Sequence, residues 1–219
     1  MEQAGLTDFR GSHVLPLVLE VLDDAGVTPT DPRVAGALAK LRDWESGWLT
    51  PGDGPLRRDG DNDGDYDQGS AVAIMDALWA PLIREMFKDP VLPGGPGAVP
   101  VGFDNAPNSG GSAYQGGFYG FVWSDLARVL GRSLNSPMSQ TYCGATVRGV
   151  DGTLAQCAQR IEAALVTAVD ALEESSGSAD PDDWNADNEA ERIAFLPAAF
   201  LTMHWVNRPT TQHLASFGT

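Results

Sequence analysis

Residues 70–86 read Ser70-Ala71-Val72-Ala73-Ile74-Met75-Asp76-Ala77-Leu78-Trp79-Ala80-Pro81-Leu82-Ile83-Arg84-Glu85-Met86, and this stretch decides the fold class. Val72, Ile74, Met75, Leu78, Trp79, Leu82, Ile83 and Met86 recur at helical spacing and together cover most of a helix's circumference. A helix that is apolar nearly all round has to be buried on more than one side. It therefore needs other helices around it, and the flanking sequence supplies them.

Upstream, Ser12 can cap a helix whose apolar positions Val14, Leu15, Leu17, Val18, Val21 and Leu22 repeat at three and four, with Gly26 as its stop. Asp31-Pro32 restarts a helix with a capping residue followed by proline at the first helical position, and Val34, Leu38, Leu41 and Trp44 line its apolar face. Residues 1–50 thus predict a helical hairpin. Downstream, residues 118–130 predict an amphipathic helix ended by Gly131, and residues 153–174 a long one with Leu154, Ile161, Leu165, Val169 and Leu172 on one stripe. Residues 89–117 are too rich in Pro and Gly for a regular element and are expected to drape over another surface. Residues 175–183 are polar and turn-like. The apolar, aromatic tail, 193–217, is broken at Pro209-Thr210-Thr211, which predicts short extended pieces rather than one helix. The expectation is a single region, 1–219, mainly α with long irregular loops and short C-terminal strands. Within it, 1–50 is the hairpin, 51–69 an acidic loop, and 70–219 holds the remaining helices, a cysteine loop and the tail.

Composition narrows the partners. The 219 residues are 42% hydrophobic, enough for a core, so disorder is not the default reading. Against 14 Lys and Arg stand 30 Asp and Glu, a formal charge of -16, which repels phosphate backbones and anionic membrane surfaces. Neither nucleic acid nor a membrane is an expected partner, and no run of about 18 apolar residues is present to span a bilayer. Met1-Glu2-Gln3-Ala4-Gly5, followed by Asp8 and Arg10, does not read as a signal peptide; it fits a cytosolic protein or a downstream piece of a longer one.

Cys143 and Cys157 are the two cysteines, 14 positions apart, with Gly144, Gly149 and Gly152 between them. Such a flexible loop suits closure by a disulfide, worth about 3 kcal/mol on the chain-entropy estimate. Two unrelated buried thiols are the alternative. Closure favours an oxidising compartment, extracellular or periplasmic.

The acidic loop carries the clearest ligand pattern. Asp59-Gly60-Asp61-Asn62-Asp63-Gly64-Asp65-Tyr66-Asp67 places carboxylates on alternate residues with glycine at the sixth position. Calcium chemistry needs hard oxygens converging from positions 1, 3 and 5, a sharp turn at Gly64 and a carbonyl from Asp65. Position 12 is Ser70 where a sensor loop has a bidentate Glu, and only a helix leaving the loop is evident. The expectation is a structural calcium ion held by Asp59, Asp61, Asp63, Asp65 and Asp67; the alternative is a solvated acidic loop.

No catalytic set emerges. His13, His204 and His213 have no His, Cys or Glu at zinc-ligand spacing, and Gly-x-Ser-x-Gly is absent. Gly11-Ser12, Gly69-Ser70, Gly111-Ser112 and Gly177-Ser178 could in principle expose an N-terminal serine after self-cleavage, but none opens a predicted β-strand.

Three ordered stretches resemble the penicillin acylase (penicillin amidase) family, especially the large secreted forms of high-GC Gram-positive bacteria. The first runs from Arg57-Arg58-Asp59 to Tyr66-Asp67 and on into Ala73-Ile74-Met75-Asp76-Ala77-Leu78-Trp79. The second runs from Gly111-Ser112-Ala113-Tyr114-Gln115-Gly116-Gly117 through Asp125-Leu126 and Leu130-Gly131 to Tyr142-Cys143-Gly144 and Cys157. The third is Trp205-Val206-Asn207-Arg208-Pro209-Thr210.

The resemblance implies an N-terminal-nucleophile amidohydrolase with an αββα core, cut into two chains. A serine at the new N-terminus attacks the acyl amide, with its own amino group as base. This chain resembles only the C-terminal portion of the larger chain and lacks the Ser-Asn start, so no catalytic residue carries over and inactivity in isolation is expected. Its implied partner is the upstream part of the same enzyme, and its implied substrates are β-lactam side chains, acyl-homoserine lactones or similar acyl amides. Asn207 and Arg208 are expected to tie the tail to the core. The competing expectation is a non-enzymatic calcium-binding helical module.

Overall fold

The computed structural model describes residues 8, 10–46, 55–61, 63–88, 118–134, 140–147 and 149–186. The predicted loop at 89–117, the tail and its short strands, and with them Asn207 and Arg208, lie outside the described residues. Within them the chain is mainly helical, with single bridge residues at Leu56 and Asp65 as its only extended pairing.

A π-helical turn, Arg10–Val14, runs directly into α1, Leu15–Asp24. Ser12 is therefore inside a helical turn and not at the cap. Val14 occupies that position without a side-chain cap bond, and the proline of the first turn, Pro16, needs no partner for an N–H it does not have. At the other end Gly26 sits at φ 68°, with Gly26 N–H donating to the Asp23 carbonyl and Val27 N–H to the Leu22 carbonyl. That paired closure satisfies two orphan carbonyls and requires a left-handed residue. Helix α2, Pro32–Ser46, begins as read: Asp31 Oδ1 accepts from Arg33 N–H at 2.8 Å, and Val34, Leu38, Leu41 and Trp44 are buried.

Helix α3, Gly69–Met86, is central to the core of the described residues. Ile74, Met75, Leu78, Trp79, Leu82 and Ile83 are all fully buried, as an all-round apolar sequence demands. It contains Pro81, which leaves one helical carbonyl without its usual donor but does not end the helix. The most extensive interface joins α3 to α5, Leu154–Ser176, which contributes Cys157, Ala158, Ile161, Ala164, Leu165, Ala168 and Val169 to the core. Helix α4, Phe118–Val129, adds Val122, Leu126 and Ala127. Helix α5 starts with a capping box between Thr153 and Gln156 and ends at Gly177, φ 75°.

Past α5 the chain turns through a 3-10 segment, Pro181–Asp183, and comes back across α2 and α3. Trp184 is buried there, its indole N–H donating to the Ser178 carbonyl at 2.8 Å. Ala186 N–H donates to the Gly69 carbonyl, and a side chain on Gly69 would collide with Asn185. No helix among the described residues is long and apolar enough to cross a membrane.

Candidate functional site

The acidic loop stands on a buried charge cluster that the sequence reading did not find. Asp8 and Arg10 are completely buried and Arg57 is 1% exposed. Arg10 grips Asp8 with a two-pronged contact, Nε to Oδ1 at 3.0 Å and Nη2 to Oδ2 at 2.6 Å, and the same Nη2 reaches Asp76 Oδ1 at 2.6 Å. Arg57 Nε donates to Asp8 Oδ2 at 3.1 Å, and its Nη2 also pairs with Asp76. Two carboxylates and two guanidiniums thus alternate, drawn from the N-terminal turn, the loop and α3. The backbone joins in: Asp8 N–H donates to the Pro55 carbonyl and Asp8 Oδ1 accepts from Arg10 N–H.

Such a cluster survives burial because each charge is compensated. Burial by itself would raise the Asp8 pKa, but Arg10 and Arg57 outweigh it and hold the carboxyl well below the usual carboxylate range. Burial likewise works against the Arg10 charge, and Asp8 and Asp76 more than restore it. A carboxylate so firmly ionised, and already hydrogen-bonded, is a poor general base. The cluster's chemistry is to hold three chain segments together.

Arg57 carries that anchoring to the loop. Its guanidinium lies 5.7 Å from the centre of the Tyr66 ring, so both ends of the loop are pinned inside. Next to those pins Asp67 N–H donates to the Arg58 carbonyl at 2.7 Å, Asp67 Oδ1 accepts from Gly60 N–H at 2.8 Å, and the Arg58 guanidinium approaches Asp67 at 3.8 Å. Asp59 accepts from Asp63 N–H and Gly64 N–H, each at 3.1 Å, and Gly64 takes φ 103°, the turn read from its position.

Of the five aspartates, Asp59, Asp61 and Asp63 offer carboxylate oxygens within 4.8 Å of one another. Oxygens at about 2.3–2.6 Å from a calcium ion would span distances of that size, so the three suit a hard cation. Asp65 lies at the bridge position with its N–H on Asp63 Oδ1, and Asp67 is turned to Gly60 and Arg58; neither adds its carboxylate to the three.

The second constellation surrounds the disulfide that joins Cys143 to Cys157, both fully buried. Asp125, buried on α4, accepts from Tyr142 N–H at 2.7 Å with one oxygen and from Cys143 N–H at 2.6 Å with the other. Burial pushes its carboxyl up to about 6; those two donors and Arg128 pull the other way, and Asp151 adds to the rise. Two of the three glycines read as flexible, Gly144 and Gly152, are instead positions of close approach. A side chain on Gly152 would strike the Cys143 carbonyl, and one on Gly144, φ 82°, would come to 2.5 Å of Cys157 N.

Ser12 Oγ and His13 Nδ1 are 2.7 Å apart, but they are sequence neighbours on an exposed turn, a local contact rather than a prearranged nucleophile and base. Asp8, Arg10 and the role of Asp125 escaped the sequence reading. A signal existed for two members: Asp76 falls on the stripe of Val72 and Trp79, and Asp125 on that of Val122, where an isolated carboxylate demands a partner. Comparison with protein-family models, curated proteins and solved structures yields no match.

Proposed function

We propose that this chain is the C-terminal supporting segment of a penicillin-acylase-like amidohydrolase that cleaves acyl amides such as β-lactam side chains or acyl-homoserine lactones, working outside the cytoplasm. The nucleophilic serine, its amino-group base and the αββα core belong to sequence other than these residues. The observation that carries the reading is how the family-like stretches are used. Arg57, Tyr66 and Asp76 of the first meet in and around the buried charge cluster, and Asp125, Tyr142, Cys143 and Cys157 of the second meet at the disulfide. Those described members of the first two stretches thus set the architecture, as expected for a segment that supports chemistry done elsewhere. The test is turnover of chromogenic phenylacetyl and fatty-acyl amides by the purified chain alone and after combination with the portion encoded upstream. Turnover only in the combination is expected; hydrolysis by the chain alone would overturn the assignment of the nucleophile to another part.

A second reading, a calcium-binding helical module without chemistry, is favoured by the convergence of Asp59, Asp61 and Asp63. Calorimetric titration with calcium should give binding heat that Asp61→Ala and Asp63→Ala reduce. Equal heats in all three proteins would remove the loop as the site. A structural ion is compatible with the hydrolase reading, so the amide assay separates the two.

A further inference from the structure

We infer that Asp125 is a positioning residue for the cysteine pair: it fixes the Cys143 backbone on α4, so that the folded chain arranges the two thiols for closure and the loop keeps its shape as a dithiol.

The loop is closed by contacts that do not involve sulfur. At its neck, Gly152 N–H donates to the Thr141 carbonyl at 3.1 Å, and the Thr141 hydroxyl donates to the Gly152 carbonyl at 2.9 Å. Thr141 N–H donates to Asp151 Oδ1 at 3.0 Å, and the Gln140 amide donates to the Val150 carbonyl at 3.1 Å. Inside the neck, Ala145 N–H closes a tight turn onto the Tyr142 carbonyl at 2.9 Å, directly over Cys143. The Cys157 side is fixed independently, since Cys157 N–H donates to the Thr153 carbonyl in the first turn of the capped helix α5. On the Cys143 side Asp125 ties the backbone to α4 with two oxygens on consecutive N–H groups, and the next residue, Gly144, lies directly against the Cys157 backbone nitrogen. The charged groups acting on it are Arg128, one turn further along α4, and Asp151 in the loop. Hydrogen bonds to an ionised acceptor are about twice as strong as neutral ones, and Asp125 makes two of them where the neck has the single one to Asp151.

Closure follows thiol–disulfide exchange with a small-molecule disulfide such as oxidised glutathione. One cysteine thiolate attacks it and releases the first small thiol; the second cysteine thiolate then attacks the mixed disulfide and releases another. Two protein thiols become one disulfide, one small disulfide becomes two small thiols, and the protons are conserved. The equilibrium constant measures how well the folded chain presents the pair.

Two measurements on the full chain decide the matter. In the wild type reduced with excess phosphine, the Tyr142 and Cys143 amides should stay protected from hydrogen exchange; exchange of both at unfolded-chain rates would overturn the proposal. This arm needs no variant and stands even where a substitution prevents folding. In glutathione buffers, Asp125→Asn should lower the oxidation constant by about tenfold or more, the equivalent of one lost charge-assisted hydrogen bond. Val34→Ala, which weakens α2 away from the loop, should lower overall stability and leave that constant unchanged. An unchanged constant in Asp125→Asn, or an equal fall in Val34→Ala, would overturn it.

Discussion

Asp8 and Asp125 are both buried carboxylates, yet their neighbours drive them in opposite directions, and the difference is measurable as pH dependence. Asp8 is held below the ordinary range, so its contribution is present above about pH 4 and is lost as pH falls further. Asp125 is raised to about 6, so the folded state favours its protonated form, and the stability linked to that proton is lost as pH rises through 6. The thermal midpoint should therefore fall between about pH 4 and 7 by an amount equivalent to no more than about 3 kcal/mol, most of it below pH 6, and Asp125→Asn should flatten the profile. A slope of the same size in the variant would assign it to another group. Replacing Asp8 with Asn leaves two buried guanidiniums facing one carboxylate, and urea unfolding should show a loss of about 3–5 kcal/mol. Methionine at Arg10 and Arg57 together with leucine at Asp8 and Asp76 would cost less than the single change, because no uncompensated charge remains.

At the scale of elements, the helices were legible and the joints between them were not. Apolar periodicity marks α3 and α5 because burial repeats with the helix, and Gly26, Gly131 and Gly177 stand where left-handed stops are needed, at φ 68°, 73° and 75°. Ser12 misled because a good capping residue is only a local preference, and the turn over Arg10–Val14 is set by the long-range pull of Arg57 and Asp76 on Arg10 and Asp8. Gly144 and Gly152 were visible as glycines, but spacing does not say whether a glycine bends freely or makes room. Here they make room. Gly152→Ala should force the neck of the cysteine loop apart, lowering stability by about 1–3 kcal/mol and exposing the Thr141 and Gly152 amides to exchange. Gly149→Ala has open space around it and should show only the penalty of its positive φ.

For the whole molecule the charge of -16 sets the behaviour in salt. Arg33 faces Asp31, Asp170 and Glu173, and Arg42 faces Asp23, but the exposed acids far outnumber the cations near them. Raising sodium chloride from about 0.05 to 0.5 M shortens the screening length, so it should relieve this repulsion and raise the thermal midpoint. The buried cluster is shielded from salt ions, so Asp8→Asn should keep its deficit at both concentrations; a deficit that vanishes in high salt would mean the cluster is open to solvent. The same cluster constrains the order in which the chain can be made. Asp8 and Arg10 are translated ahead of their partners Arg57 and Asp76, which follow 49 and 66 residues behind. At roughly 5–20 residues per second, the first helices wait on the order of several seconds before their charges can be neutralised. Until α3 leaves the ribosome, α1 and α2 can be helical but cannot close on a dry interior, and the emerging chain leaves their apolar faces exposed for that interval.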